Sequence, residues 1–145
     1  MPDVWERTLG SNPERADHNA PLPYQPRTAT TASFFPGKTP AGYTRLEEYL
    51  HFLAIPHAIL ARAASGTVEP LTVDLRRYTS GFTNGPVFTV SAISGGTVRA
   101  GGEGNHRVTF TPHAKHTGRA RFDFTVKDRD GSEWTQTCAI LVPAR

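Results

Sequence analysis

From Thr67 to the C-terminus, apolar residues alternate with polar residues in short runs that turn residues separate. Alternation with a period of two places successive side chains on opposite faces of a strand, so each run predicts a strand with one buried face. The runs cover residues 71–75, 88–92, 108–110, 120–126 and 138–142. Asp130 and Gly131 lie between the last two runs. Because Asp-Gly is typical of a tight hairpin turn, these two strands are expected to pair antiparallel.

Short strands at this spacing predict a mainly β fold, an antiparallel β-sandwich of the immunoglobulin or cadherin type, over residues 65–145. A β-barrel is the less favoured alternative. Cys138 is the only cysteine, so no internal disulfide can form. Since Cys138 lies within a strand-like apolar run, we expect a buried thiol that packs as a small hydrophobic group.

Residues 1–64 have a different pattern and are expected to form a helical, proline-rich extension. Asp3 with Glu6 at capping-box spacing predicts a helix of about two turns. The segment 11–41 carries many prolines, which remove amide donors and favour an irregular loop. Phe34 and Phe35 are expected to anchor this loop on the sandwich, because a long loop needs apolar contacts.

A second helix is predicted to begin at Thr44, where Glu47 again stands at capping-box spacing, and to end before Pro56. Residues 58–64 are expected to add a further helical turn. The predicted helix has an apolar stripe that requires a packing partner. The stripe consists of Leu46, Tyr49, Leu50 and Leu53.

The order of several short motifs in the extension resembles the region that follows the parallel β-helix in secreted bacterial pectate-lyase-like proteins. The motifs are Pro2-Asp3-Val4-Trp5-Glu6, Leu9-Gly10-Ser11-Asn12-Pro13, Asp17-His18-Asn19 and Gly42-Tyr43-Thr44-Arg45-Leu46-Glu47-Glu48-Tyr49-Leu50. The segments Phe110-Thr111-Pro112 and Phe122-Asp123-Phe124-Thr125-Val126 resemble bacterial cadherin-like or immunoglobulin-like modules. The resemblance implies a polysaccharide-acting parent protein with its lyase domain elsewhere in that protein.

In the pectate-lyase-like family, the motif that contains Glu48 usually closes a calcium loop, and the resemblance implies Glu48 as the closing ligand. The early loop positions fall on Gly37, Thr39 and Ala41, which carry no carboxylate. Asp17 and Asn19 are the substitutes that could complete a calcium shell with Glu48. The alternative is a capped structural helix without metal, and we expect that folding does not require calcium.

Charge and hydropathy limit the classes of partner. The chain carries a net charge of +3, and because residues 1–65 carry equal numbers of acidic and basic residues, the excess lies in the C-terminal part. No nucleic-acid recognition motif accompanies it, and no apolar run is long enough for a membrane span. We therefore expect neither a nucleic-acid nor a membrane partner. The first residues lack the pattern of a signal peptide, so secretion is expected only as part of a larger parent protein.

Two sets of side chains in the sandwich are candidates for binding a polysaccharide. The outward positions of the strands carry Arg107, Arg119 and Arg121, whose guanidinium groups suit carboxylated sugars such as pectic chains. The aromatic residues Tyr78, Phe82 and Trp134 could instead stack on the rings of neutral β-linked glucans. Trp134 is an even number of residues from Cys138 and Ile140 in the same predicted strand, so it should face the same way and lie in the core or at its rim.

The sequence therefore predicts a non-catalytic carbohydrate-binding module from a protein that degrades plant cell walls. The alternative is a structural or interaction module that caps or spaces a β-helix without binding sugar. An enzyme is not expected, since no nucleophile, acid and base constellation is visible.

Overall fold

A computed structural model describes residues 1–22, residue 34 and residues 43–144. Within these ranges, two α-helices, α1 and α2, precede seven strands, β1 to β7. The helices are Asp3–Thr8 and Arg45–Ala54. The strands are His57–Ile59, Leu71–Asp74, Val87–Ser94, Gly96–Gly101, Arg107–Pro112, Gly118–Lys127 and Glu133–Val142. We call the part of the chain before Pro56 the N-terminal extension.

The strands form two sheets, with the orders β1-β7-β6-β3 and β2-β5-β4. All pairs are antiparallel except β1 with β7, which run parallel. The main core lies between the sheets and includes Leu75, Phe88, Phe110, Phe122 and Ile140. The predicted mainly β sandwich with an N-terminal helical extension is confirmed.

The hairpin between β6 and β7 turns at the predicted Asp-Gly pair. Gly131 has a φ of +90°, a left-handed conformation that favours glycine. The turn sets a register in which Phe122 lies opposite Cys138. Cys138 is buried, as predicted, and burial raises the pKa of its thiol to about 12.

A second core lies on the opposite face of the four-stranded sheet, under the N-terminal extension. Ala139 and Leu141 of β7 point to this face and are fully buried against Trp5, Phe34 and Phe52. The Trp5 ring stacks on Phe34 with centroids 5.4 Å apart and meets Phe52 at 4.7 Å. Phe34 therefore anchors the extension as expected, while Phe35 lies outside the described residues.

The predicted capping of α2 is confirmed, whereas that of α1 is wrong. Thr44 Oγ1 accepts from the backbone N–H of Glu47 at 3.2 Å, and Glu47 Oε2 accepts from the N–H of Thr44 at 2.7 Å. In α1 the N-cap is Pro2, and Asp3 is the first helical residue. Its carboxylate instead meets the guanidinium of Arg7 one turn later, at 3.5 Å.

The sequence interpretation of α2 and of the segment after it needs two corrections. The helix turns Glu48 and Phe52 to the sheet, and of the predicted apolar stripe Tyr49 packs on the second core while Leu50 and Leu53 are exposed. Residues 57–59 form β1 rather than a helical turn. Pairing with β7 decides this, because Ala139 N–H donates to the Pro56 carbonyl and Leu60 N–H to the Leu141 carbonyl.

Within the part of the chain that the structure describes, neither helix is long and apolar enough to cross a membrane.

Candidate functional site

Arg119 of β6 holds the N-terminal extension on the four-stranded sheet. Its Nε and Nη2 donate to the two carboxylate oxygens of Glu48 at 2.8 and 2.6 Å. Only 1% of the Glu48 side chain and 13% of the Arg119 side chain are exposed. Paired charge-assisted hydrogen bonds of this kind fix orientation as well as adding energy. Arg119 points outward from the sandwich as predicted, but its guanidinium is committed to Glu48.

Arg121 serves the same interface, whereas Arg107 does not. Arg121 Nη1 donates to the backbone carbonyl of Phe34 at 3.3 Å, and its Nη2 lies 3.9 Å from Asp123. Arg107 is on the other sheet, is exposed, and has no ion-pair partner among the described residues. The three predicted arginines therefore lie on two opposite faces of the sandwich and do not form one site.

Two of the three candidate calcium ligands, Glu48 and Asp17, form ion pairs with arginines. Glu48 is bound to Arg119, and Asp17 Oδ2 accepts from Arg45 Nη1 at 2.5 Å, while Asn19 is exposed. Among residues 1–22, 34 and 43–144, no group of three acidic, histidine or cysteine side chains could hold a metal ion. The loop positions Gly37, Thr39 and Ala41 lie outside the described residues.

Two of the predicted aromatic residues, Tyr78 and Trp134, line one groove. Tyr78 ends the 3-10 turn after β2 and is 41% exposed, and Trp134 lies at the start of β7 and is 38% exposed. The groove has a volume of about 490 Å³. We call it the aromatic groove, and its other lining residues are Leu53, Ala54, Ile55, Pro56, His57 and Gln136. Trp134 also meets the core ring of Phe124 edge-on at 6.2 Å, which places it at the rim as predicted.

Polar groups at the aromatic groove have defined orientations. Gln136 Oε1 accepts from the backbone N–H of Thr137 at 2.8 Å, which leaves the amide nitrogen of Gln136 as a donor. His57 Nδ1 lies 2.7 Å from the Ile55 carbonyl, which can only accept, so Nδ1 carries the proton. Apolar ring faces together with fixed amide and imidazole groups are suited to a ligand with one apolar face and polar edges.

Phe82, the third predicted aromatic residue, packs against the main core and does not line the aromatic groove. Gln136, His57, Leu53 and Ile55 also line the groove and are not among the binding residues predicted from the sequence. Gln136 follows Trp134 by two residues in the same strand, so strand alternation alone predicts that the two side chains face the same side. Leu53 and Ile55 reach the groove only because the extension docks on the sheet, which residue spacing does not reveal.

A family model described as a bacterial Ig domain matches residues 56–141, which is more than half of the chain. The match begins at Pro56, directly before β1, and ends at Leu141 in β7. No curated protein and no solved structure matches the chain.

Proposed function

Because the chain belongs to the bacterial Ig domain family, we propose that it is a non-catalytic binding module whose ligand is a carbohydrate held in the aromatic groove. The observation that carries this proposal is the placement of two exposed aromatic side chains, Tyr78 and Trp134, in one open groove. Fold alone does not select the ligand, and the residues of the groove are what favour a sugar.

The chemistry of the groove favours a neutral sugar. A pyranose ring has an apolar C–H face that packs on an aromatic ring and hydroxyl groups at its edge that need hydrogen-bond partners. Tyr78 and Trp134 supply the rings, and Gln136 supplies an amide donor. Among the residues that the structure describes, the groove lining contains no Asp, Glu, Lys or Arg. We therefore propose a β-linked glucan as ligand, bound with little dependence on salt.

The test is affinity electrophoresis of the full chain through gels that contain a neutral β-glucan, at low and at high salt. We expect retardation at both salt concentrations and its loss in Trp134→Ala and Tyr78→Ala. Ile93→Ala is the matched control, because Ile93 is an exposed hydrophobic residue of β3 outside the groove. Retardation that survives in both aromatic variants, or that Ile93→Ala also abolishes, would contradict the proposal.

A second candidate function is a structural module that packs on its neighbour in the chain. The observation in its favour is the docked extension, which buries Trp5, Phe34 and Phe52 on the sheet and commits Arg119 to Glu48. Such a module spaces or caps another domain without binding sugar. Absence of retardation by every polysaccharide would favour this second function over the first.

The proposed setting is a secreted bacterial protein that degrades plant cell-wall polysaccharide and carries a lyase domain elsewhere in its chain. The support is the similarity of the extension motifs to pectate-lyase-like proteins, together with the family of the sandwich. In that setting the module would hold the parent protein on its polymeric substrate, which raises the local concentration of the substrate for the lyase domain.

A further inference from the structure

The outer face of the three-stranded sheet carries arginine and threonine side chains side by side. Along β5, Val108 and Phe110 are buried in the core, so Arg107, Thr109 and Thr111 point away from it. The register with β2 and β4 adds side chains from both neighbouring strands. We call this surface the Arg–Thr face, and it consists of Thr72, Asp74, Thr97, Arg99, Arg107, Thr109 and Thr111.

Arg99 and Arg107 are diagonal neighbours on the Arg–Thr face. Arg99 lies opposite Thr109, and Arg107 lies opposite Gly101. Diagonal positions on paired strands are about 7–8 Å apart, within the reach of two long side chains that share a ligand. Both arginines are exposed, and neither has an ion-pair or side-chain hydrogen-bond partner in the described part of the chain.

The carboxylate of the face, Asp74, does not neutralise these arginines. Asp74 lies opposite Arg107 in the β2–β5 register. Its oxygens instead accept from Arg76 Nε at 3.1 Å and Nη2 at 2.8 Å, and Oδ1 lies 3.0 Å from Nδ1 of the buried His106. The guanidinium groups of Arg99 and Arg107 are therefore left for an external anion.

We propose that the Arg–Thr face binds a carboxylate-bearing polysaccharide. A guanidinium group forms a paired set of hydrogen bonds with a carboxylate. The hydroxyl groups of Thr72, Thr97 and Thr111, all exposed, can donate to or accept from sugar hydroxyls between the carboxylates. A strand-built face without a deep cavity suits an extended polymer.

The density of charge on this face favours a polyuronate over a nucleic acid. Duplex DNA carries one charge per about 1.7 Å of axis, and its binding relies on many phosphate contacts. Two free arginines among threonines match a chain that has one carboxylate per sugar and several hydroxyls. None of the seven residues that define the face is aromatic, so a base has no ring among them on which to stack.

This binding surface is distinct from the aromatic groove and does not depend on it. No residue of the Arg–Thr face lines that groove. Loss of glucan binding in Trp134→Ala would therefore leave the Arg–Thr face untouched. The two proposals fail separately, because each has its own polymer and its own variants.

The test measures the retardation of the full chain by affinity electrophoresis through gels that contain polygalacturonate, methyl-esterified pectin or dextran sulfate. The test variant is Arg99→Gln with Arg107→Gln. The matched control is Arg15→Gln with Arg129→Gln, which removes the same charge from exposed positions elsewhere. Circular dichroism confirms that each variant is folded.

We expect polygalacturonate to retard the unsubstituted chain. It should bind the variant with Arg99→Gln and Arg107→Gln roughly five- to tenfold more weakly, because the variant loses two exposed charge pairs with the polymer. The control variant should bind within about twofold of the parent, and high salt should weaken binding. Methyl-esterified pectin should not retard the chain. An equal loss in both double variants, stronger retardation by dextran sulfate than by polygalacturonate, or no retardation by polygalacturonate would overturn the proposal.

Discussion

Replacing Arg119 by methionine tests the buried ion pair that joins the extension to the sandwich. Methionine keeps much of the length of the side chain but removes the positively charged partner of Glu48, whose side chain is 1% exposed. The Glu48 carboxylate then stays buried without its two charge-assisted hydrogen bonds. We expect this single substitution to weaken docking of the extension strongly.

The expected magnitude follows from the burial of both partners. Breaking a buried ion pair by removing one side costs about 3–5 kcal/mol. A whole domain of this kind is stable by about 5–15 kcal/mol, so the loss is a large fraction of the total. With a urea dependence of about 2 kcal/mol per molar, a loss of about 3 kcal/mol lowers the unfolding midpoint by about 1.5 M.

The assay uses the fluorescence of Trp5, which is buried in the second core. Because the chain has two tryptophans, the measurement is made in a Trp134→Phe background, so that Trp5 alone reports docking. Circular dichroism follows the sandwich in the same urea titration. The matched control is Arg77→Met, an exposed arginine, which should change stability by no more than about 0.5 kcal/mol.

A double variant, Glu48→Leu with Arg119→Met, separates loss of the pair from loss of a side chain. Replacing both charges by apolar groups of similar size is often neutral, but the buried N–H of Phe34 then loses the Glu48 oxygen to which it donates at 3.2 Å, so we expect the double variant to recover part of the loss. If Arg119→Met lowers the unfolding midpoint no more than Arg77→Met does, the ion pair does not stabilise the docked extension. The same conclusion follows if the double variant is as unstable as the sum of its two single substitutions.

Three further predictions concern the sandwich. The buried Cys138 thiol, with its pKa raised to about 12, should not react with Ellman's reagent at pH 8 until urea unfolds the chain. Gly104→Ala should lower the melting temperature by several degrees, because φ is +61° and the new Cβ would lie 2.4 Å from the carbonyl oxygen of Pro86. The control Gly81→Ala places its Cβ in open space and should leave the melting temperature unchanged. The hydrogen bond from Arg76 holds the pKa of Asp74 far below its unfolded value of about 4. The free energy of unfolding should therefore fall as the pH drops below about 4, and Asp74→Asn should reduce this fall in urea titrations at acid pH.

The sandwich was predictable because its strands follow simple rules. Alternation in β5 and β6 places their apolar residues in the core, and Asp130-Gly131 defines the hairpin and hence its register. The local signals at Thr44 and Glu47 likewise sufficed for the start of α2. β1 was missed because three residues have little propensity of their own, and parallel pairing with β7 determines their conformation.

The candidate sites were less predictable, because outward orientation is not the same as exposure to solvent. Strand alternation correctly predicts that Arg119 and Arg121 point away from the main core, but the extension covers both side chains. One feature of the sequence does indicate that the outer face of the four-stranded sheet is covered. The run 138–142 is apolar without interruption, which is typical of a strand that is buried on both faces. Ala139 and Leu141 are the residues that point to the covered face.

The same signal leads to a prediction for a fragment that begins at Pro56. It retains all seven strands and every residue of the main core, so we expect a folded β-sandwich by circular dichroism. It loses the extension that buries Leu141 and Ala139, and an exposed apolar patch on a sheet promotes association between copies. The fragment should therefore unfold at lower urea than the full chain and associate as its concentration rises in sedimentation experiments. Leu141→Thr in the fragment should reduce this association, because threonine keeps strand propensity while removing the apolar contact. An unfolded fragment would instead show that the two cores form one cooperative unit, and a fragment that stays monomeric at high concentration would show that the patch at Leu141 is not adhesive.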